Sequence, residues 1–164
     1  MTTLSTTAQA AHWYGIGLAM AWGGVTVDET TYFMDWITDT IMVALYLTGG
    51  PPNRDTGQFY VSTNEVSGAQ YTAGGKEVTS RTLAYASNVI KFDAADTAWS
   101  SGAVASSANP SYYAVIYDST AGSAGHRPLL GYIDFANKSG GMWSAGGVYT
   151  IIWPAAGIFT ITIS

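Results

Sequence analysis

Polar and apolar positions alternate through the second half of the chain, most cleanly at its end. In Ile158–Ile163, Phe159, Ile161 and Ile163 fall on one side, and Thr160 and Thr162 on the other. That period of two belongs to an antiparallel strand with one face in a core. Val148–Trp153, Leu129–Phe135 and Tyr112–Tyr117 each predict a further strand. Turn-forming clusters separate them: Pro154-Ala155-Ala156-Gly157, Asn137-Lys138-Ser139-Gly140-Gly141 and Asp118–Gly125. Val78–Tyr85 and Val89–Phe92 predict a hairpin about Ala86-Ser87-Asn88, with Ile90 and Phe92 on one face. Asp93–Ser107, small and polar around Trp99 and Val104, predicts one short strand. Ile41–Leu47 is a continuous apolar run, the mark of a central strand covered on both faces. Gly49-Gly50-Pro51-Pro52 ends it. Many short strands between turn clusters predict a mainly β chain, an antiparallel β-sandwich or jelly-roll-like domain over residues 35–164.

The front of the chain follows another pattern. Met1–Thr7 is polar and reads as an extended arm. Ala8–Trp22 is apolar almost throughout and predicts a helix, weakened at Gly15 and Gly17 by up to about 1 kcal/mol each and stopped at Gly23-Gly24. A helix apolar on nearly all sides needs cover on nearly all sides. Either a partner surface or the protein's own core supplies it. Val25–Trp36 reads as extended. Residues 1–34 are therefore expected to be an arm and docking segment ahead of the sandwich.

Between strand pattern and apolar front lies Asn64-Glu65-Val66-Ser67-Gly68-Ala69-Gln70-Tyr71-Thr72-Ala73-Gly74-Gly75. Asn64, Ser67 and Gly68 have the chemistry of a tight turn, and Gly74-Gly75 supplies a second reversal. Tyr71 between them is placed to pack its ring inward while its hydroxyl bonds backbone. The stretch predicts an ordered corner that sets the register of the strands after it.

Composition narrows the function. Of 164 residues 48% are hydrophobic and only 10% charged, against about 25% charged in an average soluble domain. So bare a surface points to neighbours that cover it. The net charge of -5 and scattered basic residues argue against nucleic acid, which needs clustered Lys and Arg. No run approaches the roughly 20 apolar residues of a membrane span, and no basic region precedes the apolar front as a signal peptide requires. No cysteine is present, which removes disulfides and thiolate chemistry.

Candidate chemistry is sparse. His12 reads as a packed or interface residue and His126 as a loop residue, with no elbow of the G-x-S-x-G kind to make a nucleophile. Nothing in the spacing of the eleven carboxylates recommends a glycosidase pair. Asp93-Ala94-Ala95-Asp96 lacks the ligand pattern of a calcium loop, so turn capping is expected there. Asn137-Lys138-Ser139 matches a glycosylation sequon that recurs by chance. No catalytic residue, metal ligand or cofactor is assigned. The surplus is aromatic. Trp13, Trp22, Trp36 and Trp143 are the expected interface anchors; Trp143, on its glycine-rich tip, is also weighed as a sugar platform or a lid on the sheet.

Several segments are familiar in combination. They are Thr38–Tyr46, Pro52-Asn53-x-Asp55, Asn64–Gly68 with Tyr71–Gly75, Tyr113–Tyr117, Pro128–Phe135 and Gly157–Ile163, in that order. The set resembles a family of small β-rich virion structural proteins of tailed bacteriophages and prophages, and covers the chain from about Asp35 onward. The apolar Ala8–Trp22 departs from the family, whose members have a more polar helix there. The resemblance brings no catalytic residues. With the low charge and surplus aromatics, it implies a non-enzymatic capsid decoration (cement) protein on the virion's outer surface. Its expected partners are the major capsid protein and its own copies, as a trimer. A tail or baseplate component and a glycan-binding receptor-recognition module are the alternatives.

Overall fold

The computed structural model describes residues 4–7, 11–27, 29–100, 104–120, 126–135, 140–144 and 146–163. Its centre is a five-stranded antiparallel sheet of β2 (His12–Trp13), β11 (Leu129–Asp134), β10 (Tyr113–Asp118), β5 (Ile41–Tyr46) and β6 (Lys76–Glu77), in that order. β1 (Leu4–Thr7) runs parallel to β12 (Tyr149–Ile152), whose other neighbour is β9 (Thr97–Trp99). β13 (Phe159–Thr162), β8 (Val89–Asp93) and β7 (Thr82–Ala86) form a third sheet, and β3 (Val25–Val27) with β4 (Thr30–Tyr32) a small hairpin. The one helix among the described residues is α1 (Gly15–Gly23). The protein is mainly β, antiparallel and sandwich-like.

The central sheet is covered on both sides because its strands alternate between two cores. Ile41, Val43 and Leu45 of β5 point into the larger core, with Phe92, Trp99, Ile151 and Phe159 from the other two sheets. Ala44 and Tyr46 point into the smaller one, under α1 and the β3–β4 hairpin, with Tyr14, Met20 and Tyr32. β10 divides the same way, Ala114 and Ile116 against Val115 and Tyr117. A register shift opposite Ile116 and Tyr117 lets Leu130 join the larger core between Leu129 and Gly131. The central strand read at Ile41–Leu47 is therefore β5, closed on both faces.

The corner at Asn64–Gly75 is tied down by one carboxylate. Glu65 accepts hydrogen bonds from the hydroxyls of Tyr60 and Tyr71, both at 2.5 Å, and from the Gly74 amide at 2.8 Å. The Tyr71 oxygen also accepts the Leu45 amide at 2.8 Å, so the corner is stapled to β5. Tyr117 donates to the Gly74 carbonyl at 2.7 Å, and Tyr46 donates to Val61. Burial pushes these phenols upward, Tyr117 to about 12; for Tyr60 and Tyr71 the Glu65 carboxylate adds to burial. Asn64, with φ of 66°, makes the first reversal, and the Tyr71 amide donates to the Gly68 carbonyl at 3.0 Å to close the next turn.

Three expectations give way. The helix starts at Gly15, and the residues before it, His12–Trp13, are strand, because β11 offers them Gly131 and Tyr132 as ladder partners. Gly17 seats the helix: a Cβ there would lie 2.5 Å from the Leu130 carbonyl oxygen. Residues 8–10 lie outside the described residues. The hairpin strand begins at Thr82, since Val78 is a core residue and Ser80, at φ 52°, reverses the chain before it. The described residues of the 1–34 segment join the sandwich: β1 extends one sheet, β2 edges another, and α1 packs on β11.

Candidate functional site

The third sheet carries one apolar face. Cross-strand partners put Leu83, Phe92 and Phe159 in one row and Tyr85, Ile90 and Ile161 in the next. The first row is anchored at its inner end. Phe159 is buried and stacks on Trp13 with centroids 4.1 Å apart, and Phe92 meets Trp13 and Trp36 edge-on at 5.6 and 5.8 Å. Ile90 and Ile161 of the second row are half-buried against the core, and both rows run past it at their outer end, on β7. Leu83 is 51% exposed, Tyr85 65% and Ile163, at the strand's end, 46%. A face with the pattern of a core strand is left half uncovered.

Two walls turn this ledge into a groove. One is the end of α1, where Trp22 is 63% exposed. The other is the turn Trp36–Asp39. Asp35 builds that turn: its Oδ1 accepts the Ile37 and Thr38 amides at 3.0 Å each. Bonds from Thr38 and Ile37, in that order, hold its carboxyl below the usual range. Arg81 then clips the turn to the hairpin, donating to the carbonyls of Trp36 at 2.7 Å, Ile37 at 3.1 Å and Asp39. The groove has a volume of about 330 Å³, with Trp22, Met34, Ile37, Leu83, Ile90 and Ile161 among its lining residues and Asp35 as its one carboxylate. Phe33, 59% exposed, lies just outside on the segment before Asp35.

The four expected tryptophans part company here. Trp22 is on the groove wall. Trp13 is half-buried beneath the ledge. Trp36 is a core residue, 2% exposed, and its indole donates to the carbonyls of Thr82 at 3.1 Å and Asp93 at 3.3 Å. It holds the hairpin from below and is not at the surface of this chain, because the Arg81 clip folds its turn inward. Trp143 is 37% exposed and remote from the groove in lining, next to Met142, which bridges to Ser111. Leu83, Ile37, Phe33 and Tyr85 carry more of the surface and were not singled out. The alternation Leu83-x-Tyr85, matched to Ile90-x-Phe92, held the signal that this hairpin has an apolar side needing cover.

The other candidates do not line the groove. His12 is exposed, with its ring 5.2 Å from Tyr132, and His126 meets Phe59 edge-on. Asp93 accepts the Ala94 amide within the loop, whereas Asp96 accepts the amide of Trp153, 57 positions away, and so ties the loop to the end of β12 instead of capping its own turn. Asn137-Lys138-Ser139 lies outside the described residues. Among the described residues no three His, Asp or Glu side chains gather as metal ligands, and no helix is long and apolar enough to cross a membrane. A second, shallower hollow holds Tyr60, Ser62, Thr63 and Arg127. Tyr117 stacks on the Tyr60 ring at 4.3 Å, and the Arg127 guanidinium lies 5.7 Å from its centroid.

No family model matches this chain, and no curated protein or solved structure is significantly similar to it.

Proposed function

We propose that this protein is a structural part of a larger assembly and docks through the ledge-and-groove surface. More narrowly, it is a virion protein of a tailed bacteriophage that decorates and cements the major capsid protein lattice. The observation that carries the docking role is the apolar face of the β7–β8–β13 sheet, buried at Phe92 and Phe159 and exposed at Leu83 and Tyr85. That face runs from the buried core into an open groove walled by Trp22 and Ile37. Covering such a surface yields roughly 25 cal/mol per Å² of apolar area, less the cost of ordering the partners. Work of that kind needs no reaction. The narrower half rests on the ordered set of segments from Asp35 onward that resemble phage virion proteins. A net charge of -5 also suits a part that faces away from packaged DNA.

The test is sedimentation of purified protein with capsid shells stripped of it. Wild-type protein is expected to travel with the shells. Trp22→Ala with Ile37→Asp is expected to remain folded and stay in the supernatant. Wild-type protein that leaves no trace on either heads or tails would sink the virion role. Binding to tails alone would move the protein to the tail.

A further inference from the structure

Among the described residues, β7 is an edge strand with nothing to keep another strand off it. It pairs only with β8, its register runs without a bulge, and all five of its residues are exposed. Thr82-Leu83-Ala84-Tyr85-Ala86 carries no charge and no proline. Edge strands are ordinarily protected by one of these devices.

The backbone groups it offers follow from the hairpin. Ser87 and Asn88, both at positive φ (50° and 62°), form a two-residue primed turn. Such a turn makes Ala86 and Val89 a hydrogen-bonded pair. Alternation then points the backbone of Ala84 and Thr82 toward β8 and that of Leu83 and Tyr85 outward. β8 agrees, since its side of the hairpin sends the Asn88 and Phe92 carbonyls to β13, accepting the Ile163 and Ile158 amides at 2.8 Å each.

We propose that β7 pairs antiparallel with β7 of a second copy about a two-fold axis at Ala84, joining two three-stranded sheets into one of six strands. In this register Leu83 and the partner's Tyr85 exchange both backbone hydrogen bonds, and the symmetry repeats the exchange. Directly opposed residues share a face, so the partner's Tyr85 ring lies beside Leu83 on the apolar side, a favourable aromatic–aliphatic pair. Leu83 lines the groove and Tyr85 of the same chain does not. The ring that closes the groove's side at Leu83 is therefore the other copy's. The strand is its own complement in hydrogen bonding, apolar face and lack of charge, which singles out a second copy as occupant. A five-residue strand offers a small face against the about 800 Å² per partner of a standard interface, so the dimer is weak and concentration-dependent. A self-paired edge is filled by one partner, giving two-fold order where a trimer was expected from sequence.

The chain has no cysteine of its own, so single cysteines report the register directly. Ala84 opposes its own counterpart as a non-hydrogen-bonded pair, with Cα atoms about 4.5 Å apart and within disulfide reach. Ala86 opposes the partner's Thr82 and lies roughly 14 Å from its own counterpart. Under mild oxidation Ala84→Cys is expected to form a covalent dimer about tenfold faster than Ala86→Cys. Wild-type protein is expected to sediment between the 17.3 kDa monomer mass and twice that as concentration rises. Tyr85→Lys, which charges the edge and leaves the β8 pairing intact, is expected to sediment as a monomer with unchanged melting. Equal crosslinking of the two cysteine variants, a strictly monomeric wild type, or a trimer unaffected by Tyr85→Lys overturns the proposal.

Discussion

The five-stranded and three-stranded sheets are built from similar alternating strands and meet different fates. β5 and β10 are buried on both faces, roofed by α1 and the β3–β4 hairpin on one side and by the other sheets beneath. β7 is exposed along its whole length, and in β8 and β13 only Phe92 and Phe159 are fully buried. The difference comes from what else the chain brings over each face. The tyrosines show it well. Tyr46, Tyr71 and Tyr117 bury their rings and bond the corner or β5, whereas Tyr85 reaches only Asn88 of its own turn, at 3.2 Å. A period of two therefore marks a strand with a side to hide and says nothing of whether the same chain hides it.

Substitutions in the two sheets should differ by an order of magnitude. The largest effect is expected at Gly75, where φ is 79° and a Cβ would lie 1.9 Å from the Val43 carbonyl oxygen. Gly75→Ala should cost about 4 kcal/mol or more, or prevent folding. Urea denaturation measures it, and a well-folded variant would show that β5 has room to move.

Alkali should attack the same region. Burial raises Tyr14, Tyr46, Tyr60, Tyr71 and Tyr149 from 10.0, and Tyr117 to about 12. Below pH 10 the phenols are neutral in both states and their contribution is fully present. As pH climbs from 10 toward 12 the unfolded chain releases protons that the folded one keeps, so stability falls. Melting temperatures across that range should drop steeply, and a flat profile would contradict the burial of these rings.

Gly17→Ala sets two effects in opposition. Helix propensity favours Ala by about 1 kcal/mol, while the contact with Leu130 opposes it through backbone that cannot retreat. A net loss of about 2 kcal/mol is expected in denaturation; a net gain would mean the helix is not seated on β11. Glu65→Gln replaces an acceptor of three hydrogen bonds with a group that also donates. It should cost about 1–3 kcal/mol, with faster hydrogen exchange at the Gly74 amide as the local sign. The smallest effect is expected on the ledge, where Leu83→Lys should change stability by no more than about 0.5 kcal/mol. A larger loss would mean the hairpin is already covered within one chain.

Much of this was legible in the residues because it is local. The uninterrupted run at Ile41–Leu47, the alternation after Ile158, the reversals at Asn88 and Gly74-Gly75, and the inward Tyr71 all depend on near neighbours in sequence. The candidate site was legible only in part. The exposure of Trp22 was readable because its helix is apolar beyond what one core absorbs. Trp36 looked identical in kind and is buried, since Arg81, 45 positions away, takes its carbonyl and turns it under the hairpin. Leu83 and Tyr85 carried the right alternation, but their exposure depends on which elements stop short of them.

The sequence by itself determined that this chain is mainly β, where most strands run, and that apolar surface would exceed what so few charges can dress, because propensity, period and composition act locally or in sum. Tertiary structure alone decided that residues 12–13 join a sheet, that β12 and β13 part into different sheets across Pro154–Gly157, and which apolar face is left open. Those outcomes depend on long-range pairing, where a backbone hydrogen bond is satisfied by whichever edge the packed core brings within 3 Å.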